Sequence, residues 1–383
     1  MLAERMKRLG TETAFEVLAK AKAMEAAGRE VVHLEIGEPD FDTPKHIIDA
    51  AVKALREGFT HYGPSAGLTE AREVFAEFIS KDRGVKVGPE NVVITPGAKP
   101  ILFFSIIALV GEGDEVIYPN PGFPIYESVI NFAGGKAVPI PLREENDFSI
   151  DIDELKKLFN EKTKLIIINS PQNPTGGVLS EEDMKGIVEL AQKYDAWILS
   201  DEVYSKIIYD GKHVSAFDIP EAMERTILLE GHSKTYAMTG WRLGYGVMPI
   251  ELAEQIAKLQ TNSTSCTASF IQRAGMAALT GPQDDSIKMV KEFKARRDLI
   301  VDGLNEIPGF KCLRPRGAFY VFPNITGTGR KSKELEEYLL DKAGVAGLSG
   351  TSFGSYGEGY LRFSYANSQE NIRKALAKIK EVM

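Results

Sequence analysis

A lysine, a carboxylate, a phenol, an amide and an arginine stand at or just beyond the points where short apolar runs of this 383-residue chain end. Asp201 closes the run Ala196-Trp-Ile-Leu-Ser. A carboxylate at the end of an apolar strand is costly unless a cation meets it, so Asp201 reads either as a cap or ion pair or as the partner of a bound cation. Tyr204, three residues on, is either a packed aromatic or a phenol of the same site. Lys234 follows the run Thr226-Ile-Leu-Leu-Glu through Gly231, His232 and Ser233. Most lysines are merely solvated, but one held at a sheet mouth beside other cations loses its proton readily enough to form a Schiff base. Arg242 lies eight positions after Lys234, beyond Gly240, and its planar fork suits a phosphate dianion. Gly97-Ala98-Lys99 opens an apolar helix with small residues, leaving the helix N-terminus free for an anion. Asn173 sits in Pro171-Gln-Asn-Pro-Thr-Gly-Gly177, a rigid turn first and a functional amide second. An imine-forming amine, a partner for a pyridinium, hydrogen-bonding groups and phosphate anchors are together what pyridoxal 5'-phosphate requires.

Such groups converge only if the elements bring them to one edge. From about Asn91 to Val247, β-branched runs alternate with helix-length segments, the signature of a mostly parallel sheet covered by helices. Val92–Thr95, Glu115–Tyr118, Lys164–Asn169, Ala196–Ser200 and Thr226–Glu230 are nearly continuous apolar stretches, as strands buried on both faces should be. In open parallel sheets ligands bind beyond the carboxyl ends of the strands, where these runs stop. A long charged helix from about Asp284 to Asn305 leaves this region, and GAFYVF, GYLRFSYA and a last helix from Gln369 predict a smaller α+β unit. The first residues, with a helix over Thr13 to Ala27, are expected to pack on that unit. No repeats appear.

Composition narrows the partners. With 43% hydrophobic and 26% charged residues the chain is of ordinary globular type, and its net charge of −8 without a dense basic block excludes nucleic acid and anionic membrane as natural ligands. The longest apolar run, Ile101 to Val110, is far short of the roughly 20 residues needed to cross a bilayer. The N-terminus lacks an apolar signal segment, so the expected compartment is the cytoplasm. Cys266 and Cys312 have no metal-binding spacing and the five histidines are scattered, so neither a disulfide nor a metal site is expected.

Eight stretches carry a resemblance over nearly the whole chain: Gly37-EPDFDTP, His61-YGPSAGL, Thr95-PGAK, Pro121-GFPIY, Pro171-QNPTGG, Ser200-DEVY, Ser233-KTYAMTGWRLGY and Tyr360-LRFSYA. In these the chain resembles the class I/II pyridoxal-phosphate-dependent aminotransferases of the aspartate aminotransferase fold, fold type I. The resemblance implies an α/β fold with a mostly parallel seven-stranded sheet and a smaller α+β domain built from both termini. Its divisions are an N-terminal arm and part of the small domain at 1–45, a large cofactor-binding domain at 46–285 and a C-terminal small domain at 286–383.

The resemblance also implies roles. Lys234 is the lysine bonded to the cofactor and Asp201 the carboxylate that keeps its ring nitrogen protonated. Asn173 and Tyr204 bond the ring's phenolic oxygen, and Phe123 stacks on the ring, where the family often has Trp or Tyr. Gly97, Ala98, Lys99, Ser233 and Arg242 serve the phosphate. Tyr62 reaches the phosphate of a second subunit, which implies a homodimer with shared sites. Arg362 clamps the substrate α-carboxylate with help from the backbone at Gly37, and Phe123 and Asn173 also border the substrate. Two positions depart from the pattern: Gly231 replaces a common phosphate-binding serine, and His232 an apolar residue, which makes His232 a packed or hydrogen-bonded side chain.

The implied activity is a ping-pong transamination between an amino acid, aspartate first, and a 2-oxo acid, 2-oxoglutarate first. Aromatic or alanine-type transamination and a carbon–sulfur β-lyase on the same fold are the alternatives. Substrate class turns on Lys99. A cation at the first turn of a helix faces the positive end of the dipole and calls for an anion nearby. That anion is the phosphate, or, as in the prokaryotic branch that this stretch resembles, the distal carboxylate of a dicarboxylic substrate. The branch's N-terminal Ser-Ala-Thr is replaced here by Thr11-Glu-Thr-Ala14.

Overall fold

The computed structural model describes residues 2–383. A short strand, β1 (Val32–His33), precedes the seven of the main sheet: β2 (Val92–Thr95), β3 (Glu115–Asn120), β4 (Lys136–Pro141), β5 (Thr163–Asn169), β6 (Trp197–Asp201), β7 (Thr226–Gly231) and β8 (Gly244–Val247). Their spatial order is β2-β8-β7-β6-β5-β3-β4. All the pairs are parallel except the two made by β8, which runs against both β2 and β7.

The apolar runs singled out in the sequence become β2, β3, β5, β6 and β7 because helices cover both faces of the sheet. Along β5, Ile166 and Ile168 point to the face shared with Met184, Ile187 and Val188 of the helix Glu181–Lys193. Leu165 and Ile167 point the other way, to Ile101 and Leu102 of the helix Lys99–Leu109 and Leu252 and Ile256 of Ile250–Ser263. Both sets are at most 1% exposed, so the period of two is apolar on each phase and no polar alternation survives.

The remaining two strands have atypical composition for physical reasons. β4 contains Pro139 and Pro141 and lies at the sheet edge, where a missing N–H is tolerated. β8 reads Gly-Tyr-Gly-Val. A Cβ on Gly244 would fall 2.4 Å from the Ala98 nitrogen, so only glycine lets the 97–98 turn lie on the strand.

Four further strands lie toward the C-terminus: β9 (Tyr320–Val321), β10 (Val345–Ala346), β11 (Leu348–Ser349) and β12 (Leu361–Ser364). β11, β12 and β9 form an antiparallel sheet, and β1 pairs in parallel with β10, so residues from near both ends of the chain meet there. The long helix Asp284–Asn305 buries Phe293, Ile300 and Leu304 in one cluster with Ile372, Ala375 and Ile379 of the final helix Gln369–Val382. GAFYVF contributes only two residues to a strand, since Gly317 instead bridges Ile208. No helix among the described residues is long and apolar enough to cross a membrane.

Candidate active site

Strands β5, β6 and β7 end at one edge of the sheet, and the antiparallel β8 begins there. Asn173, Asp201, Lys234 and Arg242 therefore arrive together, from the loop after β5, the last residue of β6, the turn after β7 and the residues just before β8. They line a cavity of about 480 Å³ that also takes in Gly37, Ala98, Lys99, Phe123, Tyr204, Ser233 and Arg362.

Lys234 lies in the single-turn helix His232–Thr235, and its Nζ donates to the Gly37 carbonyl at 2.6 Å. Burial, with the positive charges of Arg362, Lys99 and Arg242 against an opposing pull from Glu38, brings its ammonium down to about 8. About a tenth of this amine is thus unprotonated at pH 7, against well under a thousandth for a solvated lysine. In cofactor-free protein its acylation by acetic anhydride should rise with pH through a midpoint near 8, because the free amine is the nucleophile, whereas solvated lysines follow a midpoint of about 10.4. Peptide mass spectrometry across a pH series measures this, and a midpoint at the ordinary value would put Lys234 among the solvated lysines.

Asp201 is buried, receives the Tyr126 hydroxyl at 2.6 Å on Oδ2 and a long bond from the Val203 amide at 3.4 Å on Oδ1. Burial pushes its carboxyl up to about 6 despite those two bonds. Its Val203 contact is of the capping kind, yet neither partner is a cation, and a buried carboxylate in this state gains most from a cationic N–H. The Asn169 side chain ties this edge together: its amide donates to the Asp201 carbonyl at 2.9 Å while its oxygen accepts the Asn173 N–H at 2.9 Å.

A second polar group backs the same strand ends. Arg83 reaches Glu202 at 2.8 Å and Glu230 at 3.1 Å, and His213 and Ser215 also bond Glu202, each at 2.7 Å. Burial works against the Glu202 charge, but His213 and Arg83 outweigh it and hold the group at about 2. For Glu230 burial wins over Arg83, and the group rises to about 7.

Arg362, on β12, is 4% exposed. One terminal nitrogen donates to Asn173 Oδ1 at 3.0 Å and the other to the Glu35 carbonyl, while the guanidinium lies 4.5 Å from the Tyr320 ring centre and 4.8 Å from that of Phe353. Its Nε has no partner among the described residues. A buried, oriented guanidinium with an unused donor suits a carboxylate.

At the other end of the cavity Gly97 has φ of +92°, and a Cβ there would sit 2.2 Å from an Arg242 terminal nitrogen. The helix Lys99–Leu109 starts at Ala98 without a side-chain cap, so its first amides are open beside Arg242 and Ser233. These amides and the guanidinium fit a phosphate, and the uncharged approach of Asp201 fits a protonated ring nitrogen. The residues present are therefore compatible with pyridoxal phosphate.

Tyr204 shares a 2.7 Å hydrogen bond with Tyr320, and burial pushes its hydroxyl well above its usual pKa, so it stays protonated. Phe123 lies on the cavity wall, edge-on to Tyr126 at 5.7 Å. Tyr62, expected at the phosphate of a second subunit, and His232, expected to be packed or hydrogen-bonded, do not line this cavity. Tyr62 is 90% exposed. His232 packs among Phe75, Tyr236 and Tyr245, and burial brings it down to about 4. Lys99 does meet an anion, but that anion is the protein's own Glu12.

Sequence reasoning passed over Tyr126, Tyr320, Asn169 and Glu12. Tyr126 lies within Pro121-GFPIY, three residues from the Phe123 that was singled out, and a phenol in that motif was the available signal. For Tyr320 and Glu12 no local pattern marks the role.

The family model for aminotransferase class I and II matches residues 29–379. The chain is 44% identical over 385 residues to an aspartate aminotransferase of Pyrococcus horikoshii, covering all of this chain and 97% of that protein. It is 41% identical over 357 residues to aromatic-amino-acid aminotransferase 2 of Thermococcus litoralis, covering 92% of each. Among solved structures, the aspartate aminotransferase of Thermus thermophilus with maleate superposes with a TM-score of 0.95 at 37% identity over the full length of both chains.

Proposed function

Since the chain belongs to the class I and II aminotransferases and is a transaminase, we propose that it uses pyridoxal phosphate to move the amino group of aspartate to 2-oxoglutarate, as a cytoplasmic homodimer with shared sites. The observation that carries this reading is the joint presence, in one cavity, of an easily deprotonated Lys234, a buried Asp201 with no cation among its hydrogen-bond partners and the buried Arg362 fork. Aspartate as donor is supported by the several relatives named for it. Pairing of two copies is supported by the apolar side chains of Ile48, Val52 and Leu55, exposed along one helix, and by the outward position of Tyr62, which would serve the partner's phosphate. Two free cysteines suit a reducing compartment.

When bound, the cofactor supplies an aldehyde that bonds the donor nitrogen and a cationic ring that withdraws electrons from the donor Cα. Asp201 would hold the proton on the ring nitrogen. Asn173 and the protonated Tyr204 would donate to the ring oxygen, Phe123 would cover the ring face, and Gly97, Ala98, Ser233 and Arg242 would hold the phosphate. Arg362 grips the donor α-carboxylate and so fixes the Cα–H bond near Lys234. The Lys234 amine would take the Cα proton, hold it as an ammonium and return it. The same amine would serve both halves of the exchange, with the amino donor and with the 2-oxo acid acceptor.

A panel of amino donors with 2-oxoglutarate, read by oxo-acid formation, tests the reading: aspartate should give oxaloacetate at the highest kcat/KM, and donors of another class ranking first would displace it. Arg362→Lys keeps the charge and loses the fork, so kcat/KM should fall for every donor by about ten- to a hundredfold, since a charge-assisted contact is worth roughly 1.5–3 kcal/mol. Unchanged steady-state kinetics would remove Arg362 from the substrate.

A further inference from the structure

The Lys99–Glu12 pair is built into the cavity wall itself. The Lys99 ammonium bonds the Glu12 carboxylate and lies 5.3 Å from the centre of the Phe123 ring. Glu12 lines the same cavity as Lys234 and Arg362, its side chain is only 19% exposed, and its charge is felt at Tyr320 and Arg362. Its position is fixed from two sides. The Gly10 amide is held by Ser128 Oγ at 2.9 Å, and the helix Ala14–Ala26 begins two residues after Glu12. The backbone thus keeps Glu12 beside the cavity while its side-chain torsions remain free to carry the carboxylate away from it.

Charge arithmetic gives the pair a consequence. Lys99 opens a helix and faces the positive end of its dipole, and Glu12 offsets both charges in the absence of substrate. A dicarboxylic substrate seated on Arg362 brings a second carboxylate to this wall, where it meets an anion as well as a cation. It gains the full charge of Lys99 only by displacing Glu12, because beside Glu12 it meets a pair already neutralised. An uncharged side chain instead meets a neutral pair beside Phe15, Leu102 and Phe123 and needs no eviction. We propose that Glu12 is a resident competitor for Lys99 that sets the balance between dicarboxylic and uncharged substrate side chains, the pair staying closed on the latter and opening for the former. This rests on the reading of Arg362 as the α-carboxylate site, and it makes one pocket serve two substrate classes by rearranging an ion pair.

The test is equilibrium binding to the holoenzyme, by calorimetry, of succinate and of 3-phenylpropionate, in the parent protein, in Glu12→Gln and in the same substitution on a Lys99→Ala background. Succinate should bind Glu12→Gln about five- to tenfold more tightly than the parent, with 3-phenylpropionate unchanged within about twofold, and the gain should vanish without Lys99. An equal gain for both ligands, or no gain for succinate, overturns the role of Glu12. Aspartate turnover is measured alongside. If succinate affinity shifts as expected while aspartate is not used, the donor assignment fails and the competitor stands; if aspartate is used and the affinity does not shift, the competitor alone fails.

Discussion

Lys234→Ala is expected to lower turnover by about a thousand- to ten-thousandfold, the contribution typical of a positioned proton-transfer group. The amine is poised for that work by its surroundings: burial and three neighbouring cations bring it down to about 8, and its bond to the Gly37 carbonyl holds Nζ in the cavity wall. Alanine removes the proton carrier and the covalent anchor but leaves Gly97, Ala98 and Arg242 intact, so the variant should still retain cofactor without a covalent bond. Borohydride treatment followed by peptide mapping reads the first point, with the pyridoxyl label expected on Lys234 in the parent and nowhere in the variant. Single-turnover kinetics read the second. Near-normal turnover in Lys234→Ala, or label on another lysine, would sink the assignment.

Asp201→Ala is the second large effect, and it differs in kind. The carboxylate is useful only as charge develops on the ring, so its loss should appear in kcat, by about a hundred- to a thousandfold as for other preorganised electrostatic groups, with KM little changed. Tyr126 would lose its acceptor, a buried hydroxyl left unpaired at a cost of about 1–3 kcal/mol in stability. Asp201→Asn keeps an acceptor for Tyr126 and separates the two effects: it should recover the stability and not the rate. A change confined to KM, or rate recovery in Asp201→Asn, would return Asp201 to a capping role.

Much of this arrangement was legible because it rests on local signals. Strands β2, β3, β5, β6 and β7 announced themselves as unbroken apolar runs, and Asp201 and Lys234 stood out as charges where such runs stop. β4 and β8 did not, since two prolines and two glycines argue against strand in any local window, and only the sheet edge and the turn at 97–98 make them acceptable. Tyr320 was hidden for a related reason. It comes from a strand of two residues outside the main sheet, and its bond to Tyr204 joins residues 116 positions apart, which no local pattern signals. Lys99 was the instructive half-success: helix electrostatics required an anion beside it, but no rule of spacing pairs residue 99 with residue 12. Tyr62 faces outward from a single chain, and the role proposed for it would need a second copy, which one chain's sequence periodicity does not encode.

The reversed direction of β8 has a dynamic consequence. Because it pairs antiparallel with β7, the chain passes from Lys234 to Arg242 through one short loop on the active edge, where a parallel partner would have needed a crossover of a dozen or more residues. The covalent grip proposed for Lys234 and the phosphate grip proposed for Arg242 would therefore hang on a single hairpin-like unit bonded through Leu228, Leu229, Glu230 and Gly231. Hydrogen exchange should find the amides of β7, the loop and β8 opening as one cooperative segment, protected together when cofactor is present. Backbone motion that carries Lys234 away from the active edge would therefore move the Arg242 backbone with it.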